Sequence, residues 1–117
     1  MNLEPERFFS AMANEIRLRL LLLLQAEGEL CVCELTGALG LSQPMISRHL
    51  ALLRESSLLV ARRQGTWMYY RIDPELPAWA QAVLQAALEG NRRRKPFTVD
   101  RKRLAGMSGR PAAGCCA

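Results

Sequence analysis

The sequence has no long apolar run, no Gly-rich phosphate loop and only one histidine. Its longest apolar run, Leu20–Leu24, is far shorter than the roughly 18 residues that a membrane span needs. Glu4 and Glu6 stand where a secretory signal would carry Lys or Arg, so we expect a cytoplasmic protein that does not enter a membrane. The chain also lacks a Cys-x-x-Cys motif and a His/Asp/Ser constellation, so we do not expect an enzyme.

Acidic residues are scarce in the second half of this 117-residue chain, which has a net charge of +5. Residues 1–60 hold five Arg and seven Glu, whereas 61–117 hold eleven Lys or Arg and four acids. A basic half on a small chain indicates a polyanionic partner, and nucleic acid is the first candidate. A solvated basic tail is the alternative, because 91–110 contain eight of those eleven cations.

The pattern of apolar residues, caps and breakers predicts five helices and two strands. Asn14 and Ser42 are good N-caps, Pro44 suits a first helical turn, and Gly28 and Gly40 are good helix ends. Runs of branched and aromatic residues around Gly65 predict a hairpin. The predicted helices cover 4–12, 14–27, 32–39, 42–56 and 75–89, and the predicted strands cover 58–63 and 67–72.

Helix, turn, helix and then hairpin is the layout of a winged helix-turn-helix, so the fold class is mostly α with a small β-hairpin. We assign residues 1–90 to one DNA-binding and dimerisation domain. Residues 91–117 are basic, contain Gly and Pro, and end in a cysteine pair. We expect little fixed structure in this tail.

The fourth helix and the hairpin are the expected contacts to double-stranded DNA. A helix fits the major groove, where its first turns reach base edges, and a basic hairpin tip reaches the phosphates or the minor groove. His49 is an open case, because it either touches a phosphate or packs at the edge of the core. The candidate DNA-binding residues are Gln43, Ser47, Arg48, His49, Arg62, Arg63 and Gln64.

The first and fifth helices carry more apolar surface than one small core requires. A single winged helix binds a half-site weakly, so pairing on a near-palindrome is favoured. We therefore expect a homodimer. Trp79 and Val83 have an alternative role, which is to cover the monomer core. The predicted interface residues are Phe8, Phe9, Trp79, Val83 and Ala87.

The four cysteines form two close pairs, Cys31/Cys33 and Cys115/Cys116. A disulfide scaffold would distribute its cysteines along the chain. In a reducing compartment such pairs indicate metal binding or redox sensing. On an ideal helix, side chains two residues apart point about 200° apart, so one ion held by Cys31 and Cys33 should distort the start of the third helix.

Several segments together resemble the ArsR/SmtB family, and most closely its arsenic-responsive ArsR branch. They are ELCVCEL at 29–35, SQPMISRHL at 42–50, LRES at 53–56 and RQGTW at 63–67. The resemblance implies a homodimeric transcriptional repressor that occupies operator DNA. It also implies an inducer, trivalent arsenic (arsenite or methylarsenite) or antimonite, held by thiolates at the start of the third helix, with no organic cofactor.

The sequence departs from that branch at Thr36, where the branch often has a third cysteine. Three explanations are open. Cys31 and Cys33 suffice with hydroxide or water; or Cys115 or Cys116 folds back from the same or the other subunit; or the ligand is a methylated arsenical. We expect Cys31 and Cys33 to be the essential pair, with Cys115 and Cys116 as further metal ligands, a second site or incidental thiols.

Other ligands and functions fit the residues less well. Soft thiolates favour thiophilic ions, but with one histidine a four-ligand zinc site would need all four cysteines. Cadmium and lead stay open. A redox-sensing repressor on the same fold is the main alternative function. An architectural DNA-binding protein is a weaker one, because it gives no reason for the cysteine pair.

Overall fold

The computed structural model describes residues 3–108 and 110. Within these residues, six helices accompany a three-stranded antiparallel sheet. No helix in the described part of the chain is both long and apolar enough to span a membrane. In chain order the elements are α1 (Pro5–Met12), α2 (Glu15–Glu27), β1 (Leu30–Cys31), α3 (Val32–Leu39), α4 (Gln43–Glu55), β2 (Leu59–Gln64), β3 (Trp67–Ile72), α5 (Ala78–Asn91) and α6 (Phe97–Gly106).

Helix α2 lies at the centre of the core. It begins after Asn14, whose side-chain oxygen accepts a hydrogen bond from the Arg17 N–H at 3.1 Å. All leucines of the run 20–24 are buried, because α2 contacts every other helix of the described chain. Over 20–24 this helix is apolar on all sides, and such a stretch is stable only when it is surrounded. The apolar run is therefore the centre of the fold.

Helices α3 and α4 form the predicted helix-turn-helix. Gly40 ends α3 with a φ of 67°, a left-handed conformation that glycine adopts without steric cost. The Ser42 hydroxyl then caps α4 by accepting a hydrogen bond from the Met45 N–H at 3.4 Å. The predicted inward stripe of α4 is fully buried and consists of Ile46, Leu50 and Leu53.

The predicted hairpin is present and belongs to a larger sheet. Gly65, with a φ of 64°, occupies the tight turn between β2 and β3. Strand β1 pairs with the other edge of β3, which gives the order β1-β3-β2. In this register Cys31 lies opposite Tyr69, and Tyr69 lies opposite Arg62. A strand as short as β1 has no alternation to detect, so sequence reasoning missed it.

The expectation of little fixed structure after residue 90 is wrong for residues 97–106. These form α6, which packs on α2 and α3 and buries Asp100 and Leu104. The helix has few apolar residues, and its main polar anchor is an ion pair between Asp100 and Arg19, far away in sequence. A local pattern cannot reveal such a partner. Cys115 and Cys116 lie outside the described residues.

Helix α5 begins at Ala78 rather than at Glu75, and it continues to Asn91. Pro77 is its N-cap residue, with extended backbone. A proline disfavours helical backbone at the residue before it, which explains the later start.

Candidate thiol site and nucleic-acid interface

Cys31 joins the sheet to the helix-turn-helix. It is the last residue of β1 and the N-cap of α3, with extended backbone (φ −86°, ψ 164°) and no exposed surface. Cys33 lies in the first turn of α3 and is partly exposed. The prediction that the thiol pair stands at the start of the third helix is confirmed.

The Cys31 side chain takes part in a capping box. It accepts a hydrogen bond from the Glu34 backbone N–H, and Glu34 Oε1 accepts one from the Cys31 backbone N–H at 2.9 Å. Cys31 is not in helical conformation, so the expected distortion of an ideal helix by an ion held between Cys31 and Cys33 does not apply. Capture of the sulfur would instead disturb the cap itself.

No group of three or more His, Cys, Asp or Glu side chains in the described part of the chain is arranged to hold a metal ion. Thr36, which stands in place of a third cysteine, donates from its hydroxyl to the Val32 carbonyl oxygen at 2.7 Å. The described site therefore offers two thiols.

The outer face of α4 carries three of the candidate reading residues. The Gln43 side-chain amide donates to the Ser47 hydroxyl at 2.8 Å, and both lie near the start of the helix. Arg48 is exposed next to them. All three lie away from the buried stripe, so they are available to an approaching surface.

His49 faces the protein rather than the outer side of α4. Its Nδ1 lies 3.3 Å from Nη1 of Arg17, which also donates from Nε to the Ala11 carbonyl oxygen at 2.8 Å. Burial, followed by the positive charges of Arg17 and Arg48, lowers the pKa of His49. This arrangement favours the packed alternative over a phosphate contact.

The low pKa of His49 predicts a stability change in mildly acid solution. The unfolded chain takes up a proton near pH 6.5, whereas the folded chain resists it, so stability should fall as the pH drops below about 6.5. We expect the melting temperature to fall more between pH 7 and pH 5 in the wild type than in His49→Gln. NMR titration of this single histidine should give a midpoint below that of a free histidine; equal pH dependence in both proteins would contradict the assignment.

The β2–β3 hairpin is the wing of this fold, and its two candidate arginines differ in how many hydrogen bonds they make within the protein. Arg62 donates to both carboxylate oxygens of Glu29, at 2.9 and 2.7 Å, and its guanidinium lies over the Tyr69 ring. These hydrogen bonds lower the pKa of Glu29. Arg62 also donates to Gln64 at 2.7 Å. Arg63 is exposed near the tip and donates to the Gly65 carbonyl oxygen, so it is the wing cation nearest to the turn.

An aromatic cluster joins α1 to α5. The Phe8 ring contacts those of Phe9 and Trp79, both at centroid distances of 5.2 Å. Phe8 has no exposed surface, so its assignment to a dimer interface is wrong: it belongs to the monomer core. Phe9 and Trp79 are 48% and 39% exposed, which makes them the large apolar groups on this face. Val83 and Ala87 are partly buried beside them on α5.

Sequence reasoning missed five charged residues that hold the site in place. Arg17 links α1, α2 and α4, and Arg19 forms a buried ion pair with Asp100. Glu34 and Arg110 form an ion pair at the start of α3. Their partners are distant in sequence, so only the register of the folded helices could have revealed them.

A helix-turn-helix with a hairpin beside it, an exposed polar face on its second helix and basic residues on the hairpin defines the winged helix-turn-helix class of DNA-binding proteins. The family model described as the arsR family of bacterial regulatory proteins matches residues 14–59. The chain is 50% identical over 109 residues to the arsenic resistance transcriptional regulator ArsR1 of Pseudomonas putida, covering 93% of this chain and 84% of that one.

Two solved structures show the same fold. One is the homodimeric winged helix-turn-helix DNA-binding domain Mb0332 of Mycobacterium bovis, with 36% identity, a TM-score of 0.62, and coverage of 74% of this chain and 80% of that one. The other is the antimony-specific transcriptional repressor AntR, with 33% identity, a TM-score of 0.62, and coverage of 73% and 74%. The chain belongs to the arsR family of bacterial regulatory proteins. It is a DNA-binding transcriptional regulator and not an enzyme.

Proposed function

We propose that this chain is a homodimeric repressor that occupies operator DNA and releases it when trivalent arsenic or antimony binds Cys31 and Cys33. The observation that carries the proposal is the position of Cys31, whose sulfur caps the helix that braces α4. The names of ArsR1 and AntR, which refer to arsenic and antimony, support this choice of ligand. A repressor of this kind acts in the cytoplasm.

The two thiols suit a thiophilic ion. Thiolate sulfur is a soft donor that favours such ions over magnesium or calcium. Each capture step is an exchange without oxidation, in which an As–S bond replaces an As–OH bond and the thiol proton leaves with the hydroxide as water. No organic cofactor takes part.

Ligand capture acts on DNA binding through the α3 cap. A sulfur bonded to arsenic no longer accepts the Glu34 N–H in its present geometry. Loss of a Ser, Thr, Asp or Asn N-cap costs about 0.5–2 kcal/mol, and sulfur is a weaker acceptor, so we expect a cost near the low end of that range. Allosteric coupling is typically about 1–3 kcal/mol, a factor of about 5–150 in DNA affinity, so loss of the cap supplies part of the free energy of release.

Two connections lead from Cys31 to the DNA-binding elements. On one side α3 packs directly against α4. On the other side β1 is hydrogen-bonded to β3 of the wing, and Glu29 is paired with Arg62. A change at the start of α3 therefore reaches both the reading helix and the wing.

The third donor for arsenic comes from solvent or from Cys115 or Cys116. The Arg110 side chain lies against Glu34, beside the thiol pair. Cys115 lies five positions after Arg110, and such a segment spans at most about 18 Å. The tail thiols are therefore within reach of the site, in addition to the two thiols of α3.

The second copy of the chain docks on the face of α1 and α5 that carries Phe9 and Trp79. Large exposed aromatic groups are typical of the centre of an interface. Dimerisation places two α4 helices on the two halves of a near-palindromic operator. Val83 and Ala87 extend the interface along α5.

Replacing Arg48 by Ala should weaken operator binding. A base contact by Arg is worth about 1–3 kcal/mol, so we expect a loss of roughly 5- to 150-fold in affinity and relaxed selectivity at one operator position. Fluorescence anisotropy with operator and scrambled DNA measures both. Arg54→Ala, which removes an equal charge from the end of α4, is the matched control. Unchanged affinity and selectivity would remove Arg48 from the reading residues.

A DNA-release titration tests the function. Wild-type protein on operator DNA is titrated with arsenite, methylarsenite, antimonite, cadmium and zinc, and we expect release at the lowest concentrations with the trivalent arsenicals and antimonite. Release by peroxide without metal, reversed by reductant, would instead favour redox sensing. Lack of preference for one site over competitor DNA would indicate an architectural protein.

Deletion of residues 111–117 separates the sources of the third donor. If Cys115 or Cys116 binds arsenite, the deletion raises the arsenite concentration at half-release but leaves the methylarsenite response unchanged. An unchanged arsenite response assigns the third position to solvent.

A further inference from the structure

Helix α6, Met107 and Arg110 lie antiparallel along α3. Arg110 contacts Glu34 in the first turn of α3. Met107 lies over Gly37, where an added Cβ would come within 2.6 Å of the Met107 Cε. At the other end, Arg103 donates to the Leu39 carbonyl oxygen at 3.3 Å. Helix α6, Met107 and Arg110 therefore follow α3 over its whole length.

Glu34 connects Arg110 to the thiol site. The residue is only 4% exposed, and a buried carboxylate is tolerated only when it is paired. One of its oxygens accepts the Cys31 N–H at 2.9 Å, and the other accepts from Nε of Arg110 at 2.5 Å. Arg110 therefore holds the Glu34 side chain in the position that closes the capping box.

Helix α6 has its own anchor, separate from the first turn of α3. Arg19 of α2 donates to both carboxylate oxygens of Asp100, at 2.9 and 2.7 Å. The side chains of this pair are 12% and 2% exposed, respectively. If this anchor holds α6 in place while the start of α3 opens, opening separates Glu34 from Arg110.

We propose that α6 and Arg110 form a brace that sets the sensitivity of the thiol site, with Arg110 as a positioning residue that keeps the Cys31 cap closed. The effect of this brace on DNA release rests on the proposed function. It stabilises the closed, DNA-binding form, so ligand binding must overcome it. Removing it should favour opening and lower the ligand concentration needed for release.

The first experiment compares Arg110→Gln with Lys102→Gln, which removes the same charge from an exposed position on α6. The Arg110 side chain is about one-third exposed, so the pair is worth at most about 1 kcal/mol. We expect the arsenite concentration at half-release to fall about two- to fivefold in Arg110→Gln and to stay unchanged in Lys102→Gln. Glu34→Gln should show a similar fall, and adding Arg110→Gln to it should have no further effect.

The second experiment needs no arsenite. Cys31 has no exposed surface, so its alkylation by iodoacetamide requires the cap to open. Mass spectrometry that resolves Cys31 should show alkylation about two- to fivefold faster in Arg110→Gln than in the wild type, and unchanged in Lys102→Gln. A merely structural role in the tail would not change the rate at this one thiol.

The outcomes separate the two proposals. If the wild type releases DNA with arsenite but Arg110→Gln matches it in half-release concentration and in Cys31 alkylation, the brace is wrong. If no trivalent arsenical or antimonite releases DNA from the wild type, the proposed function is wrong, and faster alkylation in Arg110→Gln would still support the brace.

Discussion

Cys31→Ser should give a repressor that binds its operator and does not release it with arsenite. Serine is a preferred N-cap residue, so its hydroxyl can accept the Glu34 N–H in place of the sulfur and keep α3 closed. A hydroxyl is a poor ligand for a thiophilic ion. We expect DNA affinity within about threefold of the wild type, and an arsenite concentration at half-release raised by more than about 100-fold.

Cys33→Ser should lose the response as well, although its side chain is not the cap. Thr36→Ser is the matched control, because it alters the same helix without touching a thiol. Anisotropy with labelled operator DNA, with and without arsenite, gives both affinities. Release of either cysteine variant at the wild-type arsenite dose would show that the ligand assignment is wrong.

Phe9→Glu should separate the dimer and thereby weaken operator binding. Phe9 is nearly half exposed, and its ring lies 6.1 Å from that of Trp79. Truncating an interface hot spot costs 2 kcal/mol or more, so adding a charge there should weaken dimerisation at least about 30-fold. A single winged helix contacts only one half-site, so operator affinity should fall with it.

Analytical ultracentrifugation measures this change directly. Ala105→Glu, an equal charge on an exposed position of α6, is the control and should stay dimeric. Melting temperature checks that Phe9→Glu still folds, since the fully buried Phe8 supplies the core contact. A folded Phe9→Glu protein that sediments as the wild-type dimer would move the interface away from α1.

The helix-turn-helix could be predicted from the sequence because its signals are local. The third helix has its predicted bounds, and Asn14 and Ser42 begin α2 and α4 as expected. Each boundary depends on a residue within one turn of it: a cap or a glycine. The winged helix-turn-helix was therefore predictable from single-residue chemistry.

The rest of the fold depends on partners that are distant in sequence. Strand β1 exists only because it pairs with β3, and α6 is held by Arg19, which lies 81 positions before Asp100. Neither contact leaves a local pattern. The tail could be recognised as basic, but not as helical.

The candidate site was predictable in part, and the limit was orientation. Gln43, Ser47 and Arg48 lie on the outer face of α4, as the helical period indicates. The predicted orientation of Phe8 is wrong, since this side chain is internal. A local pattern cannot separate the inner from the outer half of an apolar stripe. The orientation of His49 could not be predicted either, because it depends on the contact with Arg17, which is distant in sequence.

The brevity of β1 has a consequence for how such a regulator can change over evolution. Its two residue pairs with β3 fix which side of the sheet Cys31 faces, and a slip of one position would turn the side chain to the opposite side. Inserting or deleting a single residue between Gly28 and Cys31 would therefore break this pairing or shift Cys31 away from Tyr69, while leaving every cysteine in the chain. We therefore expect the length of this junction to be as restricted as the thiols themselves.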